Sequence, residues 1–261
     1  MGMLTYRVSM RHKTMTITDP AERQLLRDKY NATTILKQAI TDEGIILFLT
    51  PILLMIWVYH GKQDSFDHIF GFVGRWQDFY AALYEWLSAF LLMFWVPYFI
   101  TRVVFKKRLR DFGLRLGDVR SGLRIVLILA PFMVWMSYVG SSSAEMQAEY
   151  PLARSTMEYL PMFILAEASY LLYYIGWEFF FRGFMLFGLE EKYGAAIAIL
   201  LQTIPSVIVH IGKPGNETFA AIGAGLIGGY VAMRTRSVYY GLLLHVLVGI
   251  CTDVFVTLRV M

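Results

Sequence analysis

The sequence predicts an all-α protein, a polytopic integral membrane bundle of about seven transmembrane helices. One observation is the composition: of the 261 residues, 57% are apolar and only 17% are charged. Soluble globular proteins contain about 45–50% apolar and about 25% charged residues, so this chain has too few charges to cover the surface of a soluble fold. The other observation is that the apolar residues form long stretches, and a helix needs about 20 such residues to cross the hydrocarbon core.

Seven stretches of the chain meet or approach this length. They are 44–61, 79–105, 125–140, 159–189, 193–212, 218–233 and 237–258. The first 43 residues are instead polar and mixed in charge, without the short basic and then apolar layout of a cleaved signal peptide. We therefore expect an N-terminal arm at 1–43 and one membrane bundle at 44–261.

The distribution of charge predicts the orientation and excludes some partners. Lys and Arg residues cluster in the arm and again at 106–120, and the positive-inside rule places such segments in the cytoplasm. The N-terminus is thus expected to be cytoplasmic. The net charge of +4 is too small to indicate a nucleic-acid partner, and the single Cys251 excludes a disulfide scaffold. The expected partner at this level is the lipid bilayer.

Small residues recur every four positions in the stretch at 218–233, at Ala221, Gly225 and Gly229. This spacing lines them along one face of a helix. Lipid offers no hydrophobic drive for helix association, so faces of small residues favour close backbone packing instead. We expect a tightly packed helix here.

Ionisable side chains interrupt the apolar stretches at Glu178, Arg182, His210 and His245. A charge near the bilayer centre costs at least about 2.5–3.5 kcal/mol, so each residue needs a partner or a water-filled site. Glu178 and Arg182 are four residues apart and share a helix face, which predicts an ion pair. Their depths along the predicted helices allow Glu178 to meet both histidines near the middle of the membrane.

Glu167 precedes Glu178 by eleven residues, which is roughly 16 Å along a helix, so the two carboxylates cannot share a compact site. We expect Glu167 either to pair with a polar group on a neighbouring helix or to take part in chemistry.

A glutamate with two histidines is compatible with two kinds of chemistry. The carboxylate and one imidazole can activate a water while the other imidazole stabilises the oxyanion of an attacked amide. Alternatively, all three side chains can bind zinc with a water in the fourth position. The sequence contains no His-Glu-x-x-His, so zinc has no supporting motif, and the sequence requires no cofactor.

These residues resemble, in order and spacing, the CAAX prenyl protease and bacteriocin-processing (Abi, CPBP) family of intramembrane proteases. The similarity runs from about 109 to 253. Glu178 and Arg182 match the second Glu and the Arg of a Glu-Glu-x-x-x-Arg motif, and His210 and His245 match the histidines of two further motifs. The resemblance implies an endopeptidase of the bacterial plasma membrane with these four catalytic residues. It also implies a peptide or protein substrate at the membrane, and prenylation of that substrate is not implied.

Three positions depart from the family pattern. Trp177 stands where the family has its first Glu, Ser206 replaces a Phe, and Gly249 replaces the Asn expected four residues after His245. A different carboxylate would therefore have to activate the water.

The candidates for that carboxylate are Glu178 and Glu217, and we favour Glu178 because it lies on a rigid helix rather than in a loop. Asp253, one turn past Gly249, is a candidate replacement for the missing Asn.

Two other functions remain as alternatives. The changes at Trp177 and Gly249 favour a catalytically impaired family member that binds peptide in the former cleft or acts like an immunity protein. A transporter or channel would also carry buried charges, although no inverted repeat is visible in the sequence.

Overall fold

The computed structural model describes residues 7–10, 13–16 and 19–261, and this part of the chain is predominantly helical. The predicted class, an all-α membrane bundle, is confirmed. Two short strands, β1 (Arg7–Met10) and β2 (Lys13–Thr16), pair in antiparallel fashion in the N-terminal arm. The chain divides into two compact units, with the boundary between Ile45 and Ile46.

The first unit also contains two helices, α1 (Pro20–Lys29) and α2 (Ala32–Ala39). Each helix is preceded by a residue whose side chain caps its N-terminus. The Asp19 carboxylate accepts a hydrogen bond from the Ala21 amide, and the Asn31 side chain accepts one from the Thr34 amide. These bonds satisfy amides that the first helical turn leaves unpaired.

The second unit is a bundle of longer helices, and the unit boundary falls within α3 (Asp42–His60). The helices that follow are α4 (Gln63–Phe70), α5 (Gln77–Phe90), α6 (Val96–Phe99), α7 (Val119–Gly140), α8 (Ala144–Glu149), α9 (Leu160–Glu178), α10 (Leu186–Ile208), α11 (Gly215–Thr235) and α12 (Tyr239–Val260). Turns of π-helix extend α5 through α6 to residue 104 and join α9 to α10. Gly194, with φ +77° and ψ 160°, interrupts α10.

Four helices in the described part of the chain are long and apolar enough to cross a membrane. They are Asp42–His60, Gln77–Val104, Val119–Gly140 and Tyr239–Val260. They correspond to four of the seven predicted stretches. The exact count of seven is not confirmed, because α9, α10 and α11 carry Tyr, Gly and charged residues that lower their hydropathy.

The helices that carry the candidate residues pack against one another in pairs. In the second unit, α12 packs on α7 and α9, α10 packs on α11, and α9 packs on α5. The small-residue face of α11 makes the expected close contact: a Cβ placed on Gly225 would lie 2.6 Å from the Thr203 side chain on α10. The Gln202 amide also donates a hydrogen bond of 2.8 Å to the Gly225 carbonyl.

The loop before α7 fixes the start of α12. The Val238 amide donates to the Gly113 carbonyl at 3.1 Å, and the Asp118 amide donates to the Thr235 carbonyl at 2.8 Å. Gly117 lies in this loop with φ +59°, and a Cβ there would lie 1.9 Å from the Thr235 carbonyl oxygen. The position therefore requires glycine for both its conformation and its space.

We predict that Gly117→Ala destabilises the protein by more than the about 1–2 kcal/mol that a left-handed conformation costs an L-residue, because the new methyl group also collides with backbone. Thermal unfolding of the purified protein measures the loss. Gly223→Ala is the control, since a Cβ there meets nothing within 4 Å. Equal melting temperatures for the two variants would contradict this docking of the loop.

Candidate functional site

The site is centred on the Glu178 carboxylate, which lies at the end of α9 and is only 3% exposed. Its Oε1 lies 2.9 Å from Nδ1 of His245 on α12. Its Oε2 lies 3.7 Å from Nε of Arg182, one helical turn further along the chain. The expected ion pair is therefore present and buried, and the carboxylate also binds one of the two histidines.

Glycines on the neighbouring helices make room for this pair. A Cβ on Gly241 of α12 would lie 2.8 Å from Glu178 Oε2, and one on Gly228 of α11 would lie 3.0 Å from Arg182 Nε. Glu178 immediately precedes the π-helical turn Phe179–Met185, and Arg182 lies within it. Such turns are frequent at functional sites.

The buried charges keep unused hydrogen-bonding capacity. Arg182 donates from Nη2 to the Ala224 carbonyl at 3.2 Å. Within the described residues, its Nε and Nη1 and the Oε2 of Glu178 have no hydrogen-bond partner. Most buried polar atoms in proteins are paired, and a catalytic role is one of the explanations for a group of unpaired atoms.

His210 lies just beyond α10, and its Nδ1 is 2.6 Å from the Ser206 carbonyl oxygen. A carbonyl can only accept, so Nδ1 carries the proton and Nε2 of the neutral ring has a free lone pair. No hydrogen bond joins His210 to a carboxylate in the described part of the chain. Of the two histidines predicted to lie near Glu178, His245 makes the direct contact with its carboxylate.

The indole of Trp177 connects the two histidines. It packs edge-on against both imidazoles, with ring centroids 5.3 Å from His210 and 6.3 Å from His245. The structure thus joins Glu178, Arg182 and His245 directly and brings His210 to the same place through an aromatic contact. The side chain of Trp177 is 3% exposed and occupies space beside both rings.

Glu217, the second candidate base, is held outside this group at the start of α11. Its carboxylate accepts the Tyr150 hydroxyl at 2.9 and 3.0 Å. Burial raises the pKa of Glu217, and the nearby Lys213 ammonium partly opposes that rise. The carboxylate is within electrostatic reach of His245 but forms no hydrogen bond with it in the described residues.

Glu167 on α9 and Asp253 on α12 are close enough for their carboxylates to interact electrostatically. Asp253 is 3% exposed. Neither Glu167 Oε2 nor Asp253 Oδ1 has a hydrogen-bond partner among the described residues, so both roles expected for Glu167 stay predictions. Asp253 likewise stays a predicted replacement for the missing Asn.

The space beside Gly249 is filled by Tyr174, a residue that the sequence argument did not identify. A Cβ on Gly249 would lie only 1.7 Å from the Tyr174 hydroxyl oxygen. The ring of Tyr174 contacts His245, with centroids 4.8 Å apart. The glycine at position 249 indicated that the Asn side chain of the family pattern is missing. Nothing in the sequence identified Tyr174 as the residue that fills this space.

The donor set does not fit the zinc alternative. One oxygen of Glu178 accepts from His245 and the other faces Arg182, so the carboxylate is already engaged. The described residues contain no group of three His, Cys, Asp or Glu side chains arranged to hold a metal ion.

Comparison with known proteins agrees with the sequence motifs. Residues 158–251 match the family model described as Rce1-like, type II CAAX prenyl endopeptidase. The resemblance to CAAX proteases is thereby confirmed over a segment that contains the Glu, the Arg and both histidines. No curated protein and no solved structure matches the chain. Together with the apolar helices, the match supports an integral membrane protein and, in general terms, an intramembrane endopeptidase.

We predict that Arg182→Met destabilises the protein by about 3–5 kcal/mol, because it leaves a buried carboxylate without its counter-charge. Adding Glu178→Gln should recover most of that loss, since the double variant has no uncompensated charge. Chemical denaturation of the purified variants measures both effects.

The control is Arg234→Met, which breaks a salt bridge to Asp118 whose side chains are 51% and 43% exposed. Exposed pairs contribute about 0–1 kcal/mol, so this variant should be nearly neutral. Additive losses in the Arg182→Met/Glu178→Gln double variant would argue against a coupled buried pair.

Proposed function

We propose that the protein is an intramembrane endopeptidase that hydrolyses a peptide bond of a membrane-associated substrate, using a water activated by the Glu178–His245 pair. The observation that carries the proposal is the 2.9 Å contact between the buried Glu178 carboxylate and His245 Nδ1, next to a second histidine of defined tautomer. This arrangement supports general-base hydrolysis.

The tautomers give each histidine a role. A carboxylate oxygen and a carbonyl oxygen both accept, so the two Nδ1 atoms carry protons and the two Nε2 atoms have lone pairs. In the proposed mechanism, one water donates an O–H to each Nε2. Its own lone pair then remains free to attack a carbonyl carbon.

In the reaction, His245 Nε2 takes a proton from the water as the new C–O bond forms. The Glu178 carboxylate stabilises the imidazolium that results, as carboxylates do in catalytic triads. The same proton then passes to the leaving amine when the C–N bond breaks, which restores neutral His245. His210 orients the water. Because its proton is on Nδ1, the neutral ring has no Nε2 proton to donate to an oxyanion.

The substrate is proposed to be a peptide segment at the membrane. His245 is the exposed end of the pair, with 30% of its side chain accessible, whereas Glu178 lies behind it. A substrate would therefore meet the imidazole and not the carboxylate. The description of the matched family makes peptides that end in a CAAX sequence with a prenylated cysteine one class to test.

We predict that the protein, reconstituted in liposomes, cleaves members of a membrane-peptide library that includes prenylated peptides. His245→Ala, His210→Ala and Glu178→Gln should each slow cleavage by at least about 100-fold, the usual loss for general-base chemistry. His68→Ala, which removes an exposed histidine on α4, is the control and should retain full activity. Cleavage that survives either of the His210 or His245 substitutions would contradict the assignment.

A second function, peptide binding without hydrolysis, is favoured by the position of Trp177. Its indole is in contact with both imidazoles, where the family pattern has its first glutamate. In that case the wild-type protein retains peptide without cleaving it, and Trp177→Glu gains hydrolysis.

We also propose that the arm at 1–43 lies in the cytoplasm, since the basic segment at 106–120 and the arm fall on the same side of the predicted bundle. In a Cys251→Ser background, a cysteine at Arg108 should react with a membrane-impermeant reagent only from the cytoplasmic side. A cysteine at Ala148, which is also exposed, should react from the other side. The reverse labelling pattern would refute the orientation.

A further inference from the structure

We propose that the Tyr174 hydroxyl is the hydrogen-bond donor that stabilises the oxyanion of the tetrahedral intermediate. The inference rests on the proposed function, because it names a group that the hydrolysis needs and that neither histidine supplies in its assigned tautomer. It rests on where the hydroxyl lies, beside His245 and in the space that a side chain at position 249 would take.

The first step is the coincidence of the hydroxyl with the missing side chain. A Cβ on Gly249 would approach the Tyr174 oxygen to 1.7 Å and its Cζ to 2.6 Å. A real Cβ cannot come so close to either atom, so Tyr174 and a side chain at 249 exclude each other. Position 249 is one helical turn beyond His245 on α12, so a donor there lies beside the base.

The second step is that the hydroxyl is held in place by an aromatic stack. Tyr174 stacks on Tyr170 with centroids 4.4 Å apart, and Tyr170 stacks on Trp86 at 4.7 Å. The Tyr174 ring also contacts the imidazole of His245, with ring centroids 4.8 Å apart. The residue is 3% exposed, so its position is set by packing before any substrate binds. Preorganisation of this kind is what makes an oxyanion donor effective.

The third step is that the hydroxyl proton is available. A phenol has one proton and two lone pairs, so the Tyr174 hydroxyl can donate its proton while its oxygen still accepts. Donation into a buried, low-dielectric site is stronger than the same bond in water.

The activity of Tyr174→Phe tests the proposal, because this change removes the O–H and keeps the ring. We expect kcat to fall about 100–1,000-fold, the usual loss of one oxyanion donor, with KM unchanged. Tyr173→Phe is the matched control: it makes the same change at the next residue, whose ring contacts Trp177, and it should retain wild-type kcat. A Tyr174→Phe variant with wild-type kcat would overturn the proposal.

A rescue experiment separates donation from packing. Gly249→Asn alone should lower the melting temperature and abolish cleavage, because the new side chain collides with Tyr174. The double variant Tyr174→Ala/Gly249→Asn removes the collision and supplies a carboxamide N–H instead. We expect it to fold better than Gly249→Asn alone and to cleave at least 10-fold faster than Tyr174→Ala. A double variant no more active than Tyr174→Ala, despite folding, would also overturn the proposal.

Cleavage by the wild-type protein and the melting temperatures of the variants together distinguish failure of this inference from failure of the proposed function. If the wild-type protein cleaves no peptide, the proposed hydrolysis fails, and this inference fails with it. If the wild-type protein cleaves and the melting temperatures of the Tyr174 and Gly249 changes are simply additive, the shared space is refuted while the hydrolysis stands.

Discussion

A single carboxylate in the interior of the bundle sets the main constraint on this structure. Glu178 is placed where an ionised group is expensive, and it persists because Arg182 and His245 approach it from two directions. The contact with His245 links the end of α9 to α12 and so fixes the distance between two helices that are far apart in the chain. Any repacking that separated them would remove one of the two partners of this buried carboxylate.

The glycines of α11 and α12 follow from this constraint. Gly228 and Gly241 lie where a larger side chain would collide with Arg182 or Glu178. Side chains as large as arginine can enter such a helix interface only where the facing residues have no Cβ. Small residues in this chain thus serve two purposes: along Gly225 and Gly229 they allow helices to touch, and at Gly228 and Gly241 they accommodate the charges.

Much of this arrangement could be predicted from the sequence, because its signals are local. The apolar stretches predicted four helices that are long and apolar enough to cross a membrane, and the i, i+4 spacing predicted the Glu178–Arg182 pair. Which histidine the carboxylate binds could not be predicted, since the rise per residue places His210 and His245 about equally far from the depth of Glu178, on opposite sides of it. Their actual partners depend on the rotation and tilt of α10 and α12, which sequence spacing does not specify. The contact of Tyr174 with position 249 is likewise between residues 75 positions apart.

Two of the three departures from the family pattern, at Gly249 and Trp177, have different physical consequences. At Gly249 the loss of a side chain is matched by the Tyr174 hydroxyl, which brings a hydrogen-bond donor to the same space. At Trp177 a carboxylate is replaced by an indole, which adds packing against both histidines but supplies no base. A carboxylate that supports a histidine does not have to touch the water itself, because a proton can pass to the imidazole while the carboxylate stabilises the charge that forms. In the proposed mechanism the Glu178–His245 contact meets that requirement, so the loss of the first glutamate would remove one route to water activation and leave another in place.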